Sequence, residues 1–424
     1  MARTMESTND KRIFIVGAGV SGLVAARVLE NHGYSPTIFE AGDRVGGRVK
    51  TDIVEGYQLD HGFQVMLDAY PMAQEYLNYD KLDLQKLIPG AILFNNGKRR
   101  ALGDPTRELS MAVPTMLSSI GSFSDKLKVL KLNFKLRKKS LDAIFTSEEK
   151  TTLQYLQDYG FSQGMINGFF KPFFTGIYLE DQLQTSSRMF EFVFKMFGEG
   201  SAVIPRAGIE AIPLQLQERL TQTNFSFNTR VKQVTQNTVI LEDGTEHHSL
   251  GTIIATEAGD LVSNLSQQQL SWKSVDNLYF EFKGSAVYHK PIIGLFNAEN
   301  TLVNNIHYVT NIANEYEGRN GLLSVSVVKE HQLSEEDLIK HVQNELKQHA
   351  KITNTRFLKR YTIKKALPNL DNLRYEMAPT ETQLTTGIFL AGDQQLNGSL
   401  NAAMMAGERA ALGLIQTLEG GVIS

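Results

Sequence analysis

Cysteine is missing from the 424-residue chain. That excludes disulfides, thiolate catalysis and cysteine-ligated metals. Positive charge is not in excess either. Lys and Arg number 43 against 46 Asp and Glu, for a formal net charge of −3, which argues against nucleic acid as a partner of the whole chain. No apolar run reaches the roughly 18 residues a membrane-spanning helix needs. The opening segment, MARTMESTND, is polar and has no apolar h-region, so a free polar leader and a cytoplasmic location are expected rather than secretion. The length exceeds one typical domain, and two domains, or one with a large insertion, are expected.

What is present is concentrated in residues 11–48. A short apolar run, Ile13 to Val16, is followed by Gly17-Ala18-Gly19-Val20-Ser21-Gly22. Leu23, Ala26, Val28 and Leu29 then recur at helical spacing, and a second apolar run, Thr37 to Phe39, ends in Glu40. Strand, Gly-x-Gly-x-x-Gly turn, helix, strand and acid occur in the order a dinucleotide site requires. Gly17 permits the tight turn, Gly19 lets backbone approach a pyrophosphate, and Gly22 lets helix and strand pack closely. The helix N-terminus offers free N–H groups and partial positive charge. Glu40 suits a ribose 2′-OH and repels a 2′-phosphate. No second unit of this kind follows, which argues against a separate nicotinamide domain.

After Glu40 come Ala41, Arg44, Gly46, Gly47 and Arg48, a cationic, backbone-rich loop able to cover a pyrophosphate from its other side. G-A-G-x-S-G-L followed by E-A-x-x-R-x-G-G-R resembles the FAD-binding start of the flavin amine oxidase superfamily, which includes monoamine and polyamine oxidases, protoporphyrinogen oxidase and phytoene desaturases. The resemblance implies an α/β fold: a Rossmann-like FAD-binding domain built from 1–75, 198–258 and 368–424, and an α+β substrate domain from insertions 76–197 and 259–367. It implies non-covalent FAD, since no cysteine is available for a cysteinyl link. It places Gly62, Phe63 and Gln64 beside the flavin ring, the backbone of Val231 at the adenine, and Ala255 near the cofactor. Leu390-Ala391-Gly392-Asp393 and the helix opening at Ser399, Leu400, Asn401 and Ala402 resemble the C-terminal flavin motif. There Asp393 would bond the ribityl or pyrophosphate region, and a helix N-terminus would face the N1–C2=O edge and stabilise the anionic reduced ring.

The rest is less specific. His61 is a candidate acid or base, or a histidine that faces solvent or caps a turn. Residues 124–139 read as a basic amphipathic helix with Ser124-Asp125 as its cap. Leu127, Leu130 and Phe134 share a face, and the segment from Met111 to Ile120 beside it is apolar. It either packs as a solvated helix or makes peripheral contact with an anionic membrane. Nine Phe and three Tyr crowd 150–200, where most build a core and some line a substrate cavity; Lys171-Pro172 breaks the helical run. Tyr279, Phe282 and Tyr308 are candidates to face the flavin from a large antiparallel sheet. Amine-oxidase members usually carry a lysine that bonds the flavin through water; Lys283 is the nearest match. No metal is expected. The activity expected is hydride transfer to FAD from a small hydrophobic substrate, polyene, terpenoid or porphyrinogen-like, with oxygen, a quinone or another acceptor taking the electrons. The alternatives are an amine oxidase, a redox-neutral flavin-dependent isomerase, and a flavin-free prenyl-binding escort like the GDP-dissociation inhibitors.

Overall fold

The structure, a computed structural model, describes residues 12–265 and 270–420. The expectation for MARTMESTND therefore lies outside the described residues. Strand β1, Ile13–Val16, is four apolar residues buried on both faces, the pattern of a central parallel strand. Gly17 follows at φ +104°, a conformation glycine alone adopts without strain. The chain then enters helix α1, Val20–Asn31, and returns as β2, Thr37–Phe39, parallel to β1 with Phe14 opposite Thr37.

Four strands from distant parts of the chain complete this sheet. In space the order is 224–226, β2, β1, 251–254, 388–390 and an antiparallel edge at 383–385. A three-stranded meander over 231–248 packs on Phe14, Val16 and Phe39. The last helix, Leu400–Glu419, lies along α1. Their approach depends on glycine: a Cβ at Gly407 would stand 2.2 Å from the Ser21 carbonyl oxygen. Gly407→Ala is expected to push the helices apart and cost about 1–3 kcal/mol, read as a lower urea midpoint.

A second sheet of seven strands runs 355–368, 272–282, 321–327, 303–308, 293–296, 90–95, 98–103. It is antiparallel except where 293–296 pairs parallel with 90–95, so both insertions share one sheet. Helix Glu335–Ala350, capped by Ser334, covers one face; the other face looks toward the nucleotide-type sheet.

Two local expectations are corrected. The basic helix runs Phe123–Lys138 and is capped by Ser122, in a reciprocal box with Asp125; Ser124 lies inside the first turn. Lys171-Pro172 does not break the helical run. One wide π-turn, Ile166–Phe170, leads directly into helix Lys171–Tyr178. The N–H that proline lacks is made good from outside the helix, where the Gly168 carbonyl accepts from Asn297 Nδ2 at 3.3 Å.

Candidate functional site

The turn after β1 forms an open cradle. The Glu40 carboxylate accepts hydrogen bonds from the N–H groups of Ala18 at 2.8 Å and Gly42 at 2.7 Å, which ties the turn to the end of β2. Gly46 N–H donates to the Ala18 carbonyl at 2.9 Å, bringing the arginine loop over the same turn. A Cβ at Gly22 would strike the Gly17 carbonyl at 2.1 Å, whereas one at Gly19 would meet nothing within 4 Å. Helix α1 has no side-chain cap, and Ser21 Oγ is buried without a partner. Bare N–H groups, an orphan hydroxyl and free space in front of Gly19 fit a bound pyrophosphate. Ala41 is exposed beside this turn, Val20 is buried beneath it, and Val231 and Ala255 close the flank where the meander and the 251–254 strand meet it.

The two arginines act differently. Arg44 donates through Nε to Glu210 at 2.6 Å and through Nη2 to Asp52 at 2.8 Å, so it pins the loop rather than reaching over the turn. His61 belongs to the same network: its Nε2 lies 2.9 Å from Asp52 Oδ2, and its ring stacks on Tyr361 at 4.4 Å. Burial would raise the Asp52 carboxyl, but hydrogen bonds from His61, Tyr361 and Arg44 hold it below its ordinary range. Arg48, by contrast, pairs with Asp393, donates to the Ala366 carbonyl and lies over the Trp272 ring.

Asp393 is buried at the turn after strand 388–390, where Gly392 has φ +120°. The following helix is capped by Ser399, whose Oγ accepts the Ala402 N–H at 3.0 Å and donates to Asn397 at 2.7 Å. That commits Ala402 N–H and leaves those of Leu400 and Asn401 at the helix start. Asn401 Oδ1 accepts Met72 N–H at 3.0 Å, while its Nδ2 is buried and unpartnered.

Between the two sheets runs a cavity of about 1550 Å³. Phe63, Gln64, Pro368, Ser399 and Leu400 border it on the nucleotide side, so the segments expected to touch a flavin converge on its wall. Phe169, Phe173, Phe194 and Phe197 line it on the far side. The neighbouring Phe170, Phe174, Phe190 and Phe192 are fully buried core.

A profile of the family described as flavin containing amine oxidoreductase matches residues 20–415. The chain belongs to that family. Its cofactor is FAD, and without cysteine the link is not cysteinyl. A protein named protoporphyrinogen oxidase 2, chloroplastic/mitochondrial, from Arabidopsis thaliana is 31% identical over 175 residues, 41% of this chain and 33% of its own length. The L-amino-acid oxidase BmooLAAO-I of Bothrops moojeni is 33% identical over 127 residues, 28% of this chain and 25% of its own. The matches thus span a third or less of these two relatives. Among solved structures, cyclohexylamine oxidase from Brevibacterium oxydans IH-35A superposes with a TM-score of 0.68 at 14% identity, covering 97% of this chain and 100% of the other. Wild-type putrescine oxidase bound to putrescine gives 0.67 at 18% identity, over 96% and 99%. At such identities the likeness is one of fold.

In this flavin family member the turn at Gly17–Gly22, Glu40, the Gly46–Gly47 loop and Arg48–Asp393 are the groups that would hold FAD. Other candidates fall elsewhere. Phe282 and Tyr308 are not at the cavity. They pack edge to face, ring centroids 5.0 Å apart, in the core beneath helix Glu335–Ala350. Side chains alternate along a strand, so of Tyr279, Phe280 and Phe282 it is Tyr279 that turns toward the nucleotide sheet, its hydroxyl donating to the Asp60 carbonyl at 2.9 Å. Lys283 is exposed at the strand end beside Arg319 and Asn320, in a separate surface pocket.

Several cavity groups were not singled out from sequence. Asn304 and Asn305 line the cavity and connect through Ser326 to buried Asn277 and Ser324. The alternation in NNIHY and LLSVSVV was the available signal, a polar stripe on one strand face. Lys273 lines the cavity and donates to the Tyr178 carbonyl at 3.0 Å; burial holds its pKa below that of an ordinary lysine. Behind Phe63 a void of about 20 Å³ is bounded by Asp60, Tyr279 and His307. It is large enough for one water. Both His307 ring nitrogens lack partners, and burial lowers the pKa of this imidazole to about 4.

Proposed function

We propose that this FAD oxidoreductase takes a hydride from a hydrophobic substrate, polyene, terpenoid or porphyrinogen-like. The observation that carries this reading is the large, phenylalanine-lined cavity running to the flavin-side segments Phe63–Gln64 and Ser399–Leu400. Bound FAD supplies a two-electron acceptor. The chain's part is to orient the substrate, exclude water and stabilise charge. The phenylalanine wall supplies apolar contact, and the start of helix Leu400–Glu419 offers N–H groups and partial positive charge toward the reduced cofactor. Segments 1–75, 198–258 and 368–424 serve as the FAD-binding part, and 76–197 with 259–367 as the substrate-binding part. Electrons then leave to oxygen, a quinone or another acceptor. Contact of residues 124–139 with a membrane surface suits a substrate of this class. The Arabidopsis relative's name, protoporphyrinogen oxidase, supports the same direction.

A second reading, oxidation of an amine, is favoured by Glu180 and Asp181, which put carboxylates on the cavity wall where a cation could dock. Anaerobic mixing of the oxidised holoenzyme with candidate substrates separates the two. Bleaching by lipophilic polyenes or porphyrinogens, and not by small amines, is the expected result; the reverse would overturn the first reading. In the same assay Phe173→Ala should raise KM for the lipophilic substrate at least roughly tenfold, the loss of one buried aromatic contact, with flavin content unchanged.

A further inference from the structure

Seven of the twelve exposed large hydrophobic side chains among the described residues fall between 109 and 134. Such side chains are ordinarily scattered, and a contiguous group marks an interaction surface. Leu109, Val113 and Leu117 form one stripe along the short helix Ala112–Leu117 and the turn before it, with Leu117 78% exposed. Met111 and Thr115 take the buried side. On helix Phe123–Lys138, Phe123, Leu127 and Phe134 share the face opposite buried Leu132 and Leu136. Lys126 Nζ donates to the Met116 and Ser118 carbonyls, at 3.3 and 2.6 Å, and so joins the two stripes.

Cations flank this ridge. Lys131, Lys135 and Lys138 are exposed, and among the described residues none of the three pairs with a carboxylate. Lys139 differs: it is held by buried Glu191 and serves the fold. Met116, Phe123 and Leu127 belong to both the ridge and the cavity wall, so the ridge borders the cavity. A second copy of the chain would bring lysine fringe against lysine fringe. An anionic bilayer offers hydrocarbon to the ridge and negative charge to its fringe.

We infer that this face lies on an anionic membrane and that the cavity opens into the bilayer, so that substrate enters from lipid without crossing water. The entry route rests on the hydrophobic-substrate reading above; the docking surface does not.

The test is sedimentation of the holoenzyme with vesicles of phosphatidylcholine plus phosphatidylglycerol, against phosphatidylcholine alone. Binding to the anionic vesicles, weakened by salt, is expected. The triple variant Leu109→Ser, Val113→Ser, Leu117→Ser and the triple variant Lys131→Gln, Lys135→Gln, Lys138→Gln should each lower partitioning at least roughly tenfold, with flavin content and melting temperature as in the parent. Phe123→Trp fluorescence should be quenched by brominated acyl chains. A parent protein that stays in the supernatant, variants that bind as the parent does, or a bound Phe123→Trp protein without quenching would each overturn the inference. So would a dimer that the leucine variant dissociates and that ignores vesicles. A protein that binds vesicles but is bleached only by small amines would remove the substrate reading and the entry route, and leave the docking surface standing.

Discussion

Gly19→Val is expected to yield a folded, colourless protein. Gly19 has φ −71° and ψ 174°, ordinary extended backbone that valine adopts readily, and an added Cβ meets no protein atom within 4 Å. Replacing a glycine helix cap by valine carries only a modest stability cost. The side chain instead fills the space in front of the bare α1 N-terminus, where a pyrophosphate would sit. FAD affinity should fall at least about 100-fold, the equivalent of roughly 3 kcal/mol. Flavin absorbance after purification, FAD titration and far-UV circular dichroism together measure it. Full flavin content would show that the cofactor does not use this turn. Gly22→Ala is the contrast: its Cβ would strike the Gly17 carbonyl at 2.1 Å, so stability should fall along with flavin. A purely structural glycine turn would give the two variants the same phenotype.

Between pH 4 and 6 Asp60 and His307 should contribute opposite slopes to the stability of the protein, and two single substitutions should reveal them relative to the parent. Burial pushes the Asp60 carboxyl up to about 6, against the hydrogen bonds from Thr51 and Ile209, and lowers the His307 imidazole to about 4. In this window the folded state binds a proton at Asp60 that the unfolded chain lacks. The unfolded chain binds one at His307 that the folded state lacks. These two contributions oppose each other. In Asp60→Asn only the histidine remains, and stability is lost as pH falls from about 6.5 toward 4. In His307→Phe the Asp60 contribution is left unopposed by the histidine, and relative to the parent stability is lost as pH rises from about 4 to 6. Each change amounts to at most about 3 kcal/mol. Urea midpoints across the range measure it, and parallel profiles for both variants would refute the assignment. Since both groups border the void behind Phe63, the pair also probes the wall expected beside the flavin.

Legibility followed the type of constraint. Gly17, Gly22 and Glu40 were readable because backbone geometry and close approach leave few residue types possible at each position, and those demands are local. The C-terminal motif was readable by resemblance, though the commitment of Ala402 N–H to Ser399 was not. Arg44 and His61 looked like chemistry. Glu210, distant in sequence, holds Arg44, and Asp52 and Tyr361 engage His61. Phe282 and Tyr308, expected to face the flavin, lie in the core beneath the helix instead, because aromatic content does not fix the phase of a strand. One residue of phase sends a side chain to the opposite face, and register across the sheet sets that phase.

From the sequence alone came the strand–turn–helix start, the FAD family, the three-part nucleotide fold and the basic amphipathic character of 124–139. The first and the last depend on local backbone demands or periodicity, whereas the family and the three-part fold came through resemblance. Tertiary structure decided which phenylalanines line the cavity and which fill the core, that Asn304, Asn305 and Lys273 reach its wall, and that the ridge from Leu109 to Phe134 borders it. The reason is physical: a buried and a cavity-lining phenylalanine have the same local preferences, and only the packing of helix on helix separates them, as where Phe170 and Phe174 meet Phe190.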